Sequence, residues 1–130
     1  MYYVVNFLRN KVYQFSDLNG VKINYSCDWY SLIPLQYDNV LILGHDHEAD
    51  KSETDTYFLS IEKSRADANA RVAFLLNKTH GFNVYTSQDE AVKDLKRLID
   101  DATVENPNIY DLDLIDFYKN ILKQIQAFKE

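Results

Sequence analysis

His45 and His47 stand two residues apart in the stretch NVLILGHDHEADKSETD, residues 39–55. On an extended backbone, residues i and i+2 point to the same side. The spacing therefore lets two imidazoles meet one divalent metal, with Asp46 and Glu48 turned the other way. A structural zinc takes four protein ligands, and a catalytic zinc takes three and keeps one position open. The pair needs completing, and His80, Asp50 and Glu53 are the residue types that would do it. A small metal-dependent enzyme using His45 and His47 is one reading of this chemistry.

The same stretch supports a different one. Between residues 38 and 62 there are seven acids, Asp38, Asp46, Glu48, Asp50, Glu53, Asp55 and Glu62, against Lys51 alone. The rest of the chain is balanced, so this segment carries the whole formal net charge of −6. A charged connection of this kind is a surface for a basic partner, with Asp46, Glu48, Asp50, Glu53 and Asp55 as the contacting residues. The H-x-H-x-D-H pattern of metallo-β-lactamase-fold hydrolases is not completed, because Asp50 falls one residue late and the final histidine is missing.

Other chemistry is thin. Cys27-Asp28 is a thiol beside an acid, but a nucleophilic thiolate needs a cation or histidine near it, and the tyrosine-rich surroundings suit a small buried hydrophobe better. No G-x-G-x-x-G, Walker A, G-x-S-x-G or C-x-x-C pattern occurs, and three glycines leave little material for a phosphate-cradling loop. There is no basic stripe to follow a nucleic-acid backbone. A single cysteine forms no internal disulfide. The N-terminus MYYVVNFLRN lacks a basic n-region, and no apolar run approaches the roughly 18 residues of a membrane span. These features lead to the expectation of a cytosolic chain.

The elements that position the acidic segment follow from periodicity. Residues 2–8 and 11–15 are β-branched and aromatic, with a turn at Arg9-Asn10. Asp17-Leu18-Asn19-Gly20 is a stronger turn, since Asn and Gly tolerate positive φ. Residues 21–26 alternate as a half-buried strand, and residues 29–33 form a strand that Pro34 places at an edge or end. Val40-Leu41-Ile42-Leu43 is continuously apolar, which predicts a strand buried on both faces. Residues 56–61 return as its hairpin partner across the acidic loop.

The second half changes to helical period. Ser64 is the expected N-cap of a helix over 65–78, and Gly81 stops it. Residues 82–85 are a short strand. Ser87-Gln88-Asp89-Glu90 has the form of a capping box opening a helix over 88–102. Asp89–Lys93, Lys96–Asp100 and Arg97–Asp101 then fall at i, i+4. A last helix over 111–129 carries the stripe Leu114, Tyr118, Ile121, Ile125 and Phe128, flanked by Phe117 and Leu122. That stripe is either core or a homodimer surface.

Strands first and helices later predict one α+β domain over 1–130. Its antiparallel sheet has about five to six strands, mostly from the N-terminal half, and about three C-terminal helices pack on one face. The functional expectation is a small, non-enzymatic binding or inhibitor protein. Its acidic loop, residues 45–55, meets a basic protein partner, as in a phage- or plasmid-type blocker of a nucleic-acid-handling enzyme. The metal-dependent enzyme is the alternative.

Overall fold

The computed structural model of the chain describes residues 1–22, 28–46, 55–77, 81–105 and 109–128, with backbone alone at 46, 55, 104–105 and 109–112. Six strands and three helices are described, and the class is α+β. The strands divide between two three-stranded antiparallel sheets. Two compact units accompany the two sheets: residues 1–16 with 81–130, and residues 17–80.

In the first unit, β1 (Tyr2–Asn6) lies between β2 (Lys11–Phe15) and β6 (Phe82–Tyr85). The expected turn is present, with Asn10 at φ 53° closing β1 onto β2. One face of this sheet, through Tyr3, Val5, Val12 and Tyr85, packs with Ala91 and Leu95 of α2 (Gln88–Glu105) and Ile121 and Ile125 of α3 (Ile109–Ala127). Phe117, Tyr118, Leu122 and Phe128 pack against the same cluster. The apolar row of the last helix is therefore spent on this core, apart from Leu114, which is exposed.

Polar groups in this unit hold the elements in register. The Gln124 amide accepts from Val12 N–H at 3.1 Å and donates to Asn10 C=O at 2.9 Å, which ties α3 to β2. Gln88 Nε2 donates to Ile125 and Phe128 carbonyls, both at 2.9 Å, satisfying the open end of α3. The Tyr85 hydroxyl donates to Asp94 at 2.5 Å, and its burial, reinforced by that bond, pushes the phenol above its ordinary range. Arg97 bridges Asp94 at 2.7 Å and Asp101 at 3.1 Å on the exposed side of α2. The capping box forms by half. Ser87 Oγ accepts from Glu90 N–H at 3.1 Å, but the Glu90 carboxylate reaches Thr86, at its hydroxyl (2.9 Å) and N–H (3.3 Å).

In the second unit, β4 (Val40–Asp46) lies between β3 (Trp29–Pro34) and β5 (Asp55–Glu62). The helix α1 (Arg65–Asn77) packs on this sheet through Ala68, Val72, Ala73 and Leu76, over the buried Tyr30, Leu32, Val40 and Ile42. Ser64 caps the helix as expected, accepting from Asp67 N–H at 3.0 Å. The expected strand at 21–26 does not begin at Val21 or Lys22, and residues 23–27, including Cys27, lie outside the described residues.

The turn at 17–20 does more than reverse the chain. Asp17 receives Arg65 through both Nε (2.8 Å) and Nη2 (2.7 Å), and Asn69 Nδ2 donates to the same carboxylate at 2.8 Å. Asn69 Oδ1 accepts from the fully buried Leu18 N–H at 2.7 Å. The Arg65 hydrogen bonds hold the Asp17 carboxyl well below the usual carboxylate range, at about 2. A carboxylate depressed in this way stabilises the fold above its unfolded pKa and loses that contribution as pH falls through the folded value. Acid unfolding of this unit should therefore include a loss of roughly 1–2 kcal/mol between about pH 4 and pH 2, after discounting for the partial exposure of the pair. Asp17→Asn should flatten that part of a stability-versus-pH curve measured by denaturant titration.

Gly44 is required by a close approach. The Tyr57 ring, its cross-strand partner, lies across it so closely that an added Cβ would sit 2.2 Å from ring carbon Cζ. Gly44→Ala must swing that ring aside, and the expected cost is about 1–2 kcal/mol, read as a lowered unfolding midpoint.

Candidate partner-binding face

The hairpin β4–β5 delivers the acidic segment. Its strands run further than the sequence suggests and pair up to Asp46 opposite Asp55, so the connection is residues 47–54. The ladder thus places the backbone of two acidic residues at the mouth of the loop. His47, Glu48, Asp50, Glu53 and His80 lie outside the described residues, as does Lys51.

His45 is described fully. Its ring stacks on Trp29 with centroids 3.8 Å apart and planes 12° from parallel. Nε2 is hydrogen-bonded to Ser31 Oγ at 2.8 Å and Nδ1 to Thr56 Oγ1 at 3.0 Å. The three contacts come from β3 and β5, the strands on either side, and they use both ring nitrogens. Metal ligation by His45 would require one of these hydroxyl bonds to break. Among the described residues, no three His, Cys, Asp or Glu side chains are grouped to hold an ion.

The register shows what surrounds His45. Three cross-strand rows lie on the sheet face opposite α1: Trp29, His45 and Thr56; Ser31, Leu43 and Phe58; Ile33, Leu41 and Ile61. The rows stay aligned because the bulge at Leu59 absorbs one extra residue between Phe58 and Ser60. Apolar side chains here are open to solvent: Phe58 is 64 % exposed, Ile61 55 % and Ile33 38 %. Leu41 and Leu43 are half-buried between them. The Trp29 indole N–H is buried without an acceptor among the described residues.

This corrects the expectation for Val40-Leu41-Ile42-Leu43. Val40 and Ile42 are buried on the α1 side, but Leu41 and Leu43 lie on the open side. The central strand has the composition of one covered on both faces, and among the described residues it is fully covered on one. Sequence reasoning missed Phe58, Ile61 and Ile33 as surface residues, since isolated apolar residues in a strand look like core. The available signal was the unbroken run in β4, which calls for two covers.

Nearby, Tyr37 is 90 % exposed at the tip of the β3–β4 connection, and it and Asp38 both have positive φ, 59° and 63°. A bulky residue in that region is strained. An open recess of about 520 Å³ lies beside the start of α1, lined by Leu35, Asp38, Ser64 and Arg65 among others. Its one cation, Arg65, is already committed to Asp17. Among the described residues no helix is long and apolar enough to cross a membrane. No protein-family model, curated protein or solved structure matches this chain.

Proposed function

We propose that this is a non-catalytic binding protein, and that its binding surface is the open face of β3–β4–β5 continued into the acidic connection at residues 45–55. The observation that carries the reading is the apolar face itself, with Phe58, Ile61 and Ile33 exposed over a central strand that is apolar on both sides. Contiguous exposed apolar surface rimmed by polar groups marks interaction sites in soluble proteins. The rim specifies the partner. Asp46 and Asp55 stand at one end of the ladder, and Glu62 and Asp38 at the other. A second copy of the chain would bring acids against acids at both ends, whereas a basic protein with an apolar patch meets complementary charge. Asp46, Glu48, Asp50, Glu53 and Asp55 then serve mainly to steer and orient, and the apolar rows supply the buried centre. Inhibition of a nucleic-acid-handling enzyme is one biological use of such a surface, because enzymes of that kind carry basic grooves.

Co-purification from the native host tests this. The wild-type chain should recover a basic protein that is lost, or recovered at under about a tenth of the level, when all five acids are neutralised as Asp46→Asn, Glu48→Gln, Asp50→Asn, Glu53→Gln and Asp55→Asn. Equal recovery by both chains would remove the acidic connection from the binding surface.

A further inference from the structure

We infer that Tyr37 is a pre-positioned anchor of the binding surface, and that its ring inserts into a pocket of the basic partner walled by an arginine or lysine side chain. This rests on the partner-binding reading above and names the residue that fixes how the partner is seated.

The connection between β3 and β4 is a tight, braced turn. Asn39 N–H donates to Gln36 C=O at 3.2 Å, and both residues between them are left-handed, Tyr37 at φ 59° and ψ 38°, Asp38 at φ 63°. Positive φ at both central residues is the pattern of a type I′ turn. Two further bonds hold it. Asn39 Nδ2 donates to Gln36 C=O at 3.0 Å, and Leu35 N–H donates to Asn39 C=O at 2.7 Å. Just outside, the strands pair as far as Pro34 opposite Val40.

A turn of this type that has only to reverse the chain takes Asn-Gly or Asp-Gly. Asp38 suits the left-handed region, but a tyrosine there is strained. The fold gains nothing from the ring in exchange. Tyr37 is 90 % exposed, and among the described residues it makes no hydrogen bond and no aromatic contact. Strain that neighbouring bonds enforce and the core does not use gathers at contact sites for ligands and partners.

The surroundings specify what the ring meets. The last row of the open face, Ile33, Leu41 and Ile61, lies at this end of the sheet, and Ile33 and Leu35 are exposed on the way into the turn. The turn therefore continues the apolar surface beyond the strands. Its charges are acidic: Asp38 follows Tyr37, and Glu62 pairs with Val40 at the same end. An aromatic face beside carboxylates attracts a guanidinium or ammonium group. A tyrosine has few torsions to freeze, and here the backbone beneath it is already fixed, so insertion costs little conformational entropy.

The test places p-benzoylphenylalanine at position 37 of the full-length chain in the native host, with Lys123→p-benzoylphenylalanine on the exposed side of α3 as the control. Light should join position 37, and not position 123, to the basic protein recovered in the co-purification above, at a segment containing Lys or Arg. With that protein purified, Tyr37→Phe should bind within about threefold of wild type, and Tyr37→Asn should lose about tenfold or more. The urea midpoint of Tyr37→Asn should stay level or rise, because asparagine takes the left-handed region more readily. A residue kept for the fold would lower the midpoint instead. Wild-type affinity of Tyr37→Asn, or no adduct at position 37, overturns the anchor and leaves the partner-binding reading standing. Failure of the wild-type chain to recover any basic protein overturns both.

Discussion

Asn69→Ala should destabilise the unit formed by residues 17–80 by about 3 kcal/mol, among the largest effects of any single polar substitution in it. Asn69 is 4 % exposed and makes three hydrogen bonds, to Leu18 N–H, Asp17 Oδ1 and Arg65 C=O. Truncation leaves the Leu18 N–H buried with no acceptor, and an orphaned donor costs more than the net value of the bond it made. It also removes one donor from a carboxylate whose low pKa depends on Arg65 first and on Asn69 after it. The loss should be read as a shift in the urea midpoint and as faster hydrogen exchange of β3, β4 and α1 amides, with the α2–α3 amides unchanged. Asn69→Asp is a sharper variant. It keeps an acceptor for Leu18 but sets a second carboxylate against Asp17. Like charges so close raise the pKa of one of them. The variant should be worse than Asn69→Ala at neutral pH and gain on it as pH falls through the carboxylate range. If Asn69→Ala costs under about 0.5 kcal/mol, the 17–20 turn is not what anchors α1 to the sheet.

The turn illustrates what was legible in the sequence and what was not. Asp17-Leu18-Asn19-Gly20 announces itself as a turn from residue types alone, and Ser64 as a cap in the same way, because both depend on neighbours a few positions away. That Asp17 would hold Arg65, 48 positions on, has no local signature. The hairpin of β4 and β5 and the edge role of the Pro34 strand were local and legible. The separation into two sheets was not, because β1 pairs with β6 across most of the chain and no periodicity encodes that partner. Gln124 shows the same limit. A glutamine on a helix reads as a solvated residue, yet it carries the bonds that fix α3 to β2. The acidic segment was found from charge count alone, and the register puts its two ends, Asp46 and Asp55, opposite each other. The apolar face beside it was hidden, because hydrophobicity reports that a residue wants a cover and not whether the cover belongs to the same chain.

That distinction sets the second large effect. Phe58→Asp with Ile61→Asp should weaken partner binding by about thirtyfold or more, the loss typical of removing a central apolar anchor, here joined by two new charges in a desolvated patch. If these side chains were core, the same pair of substitutions would unfold the unit. Both are more than half exposed, so the effect on stability should stay within about 0.5 kcal/mol per site, with β-propensity the main residual term. The combination of intact folding and lost binding is the signature of a surface that a partner covers. The new acids also extend the negative rim, so a loss caused only by wrong charge has to be separated from a loss of apolar contact. Phe58→Ser with Ile61→Ser does this, since it removes the apolar area and adds no charge. Its binding should fall by about tenfold or more, short of the full loss, while the midpoint of unfolding again stays put. A serine pair that binds as wild type would mean the acidic connection does the recognising alone and that Phe58 and Ile61 are ordinary exposed residues of an edge strand.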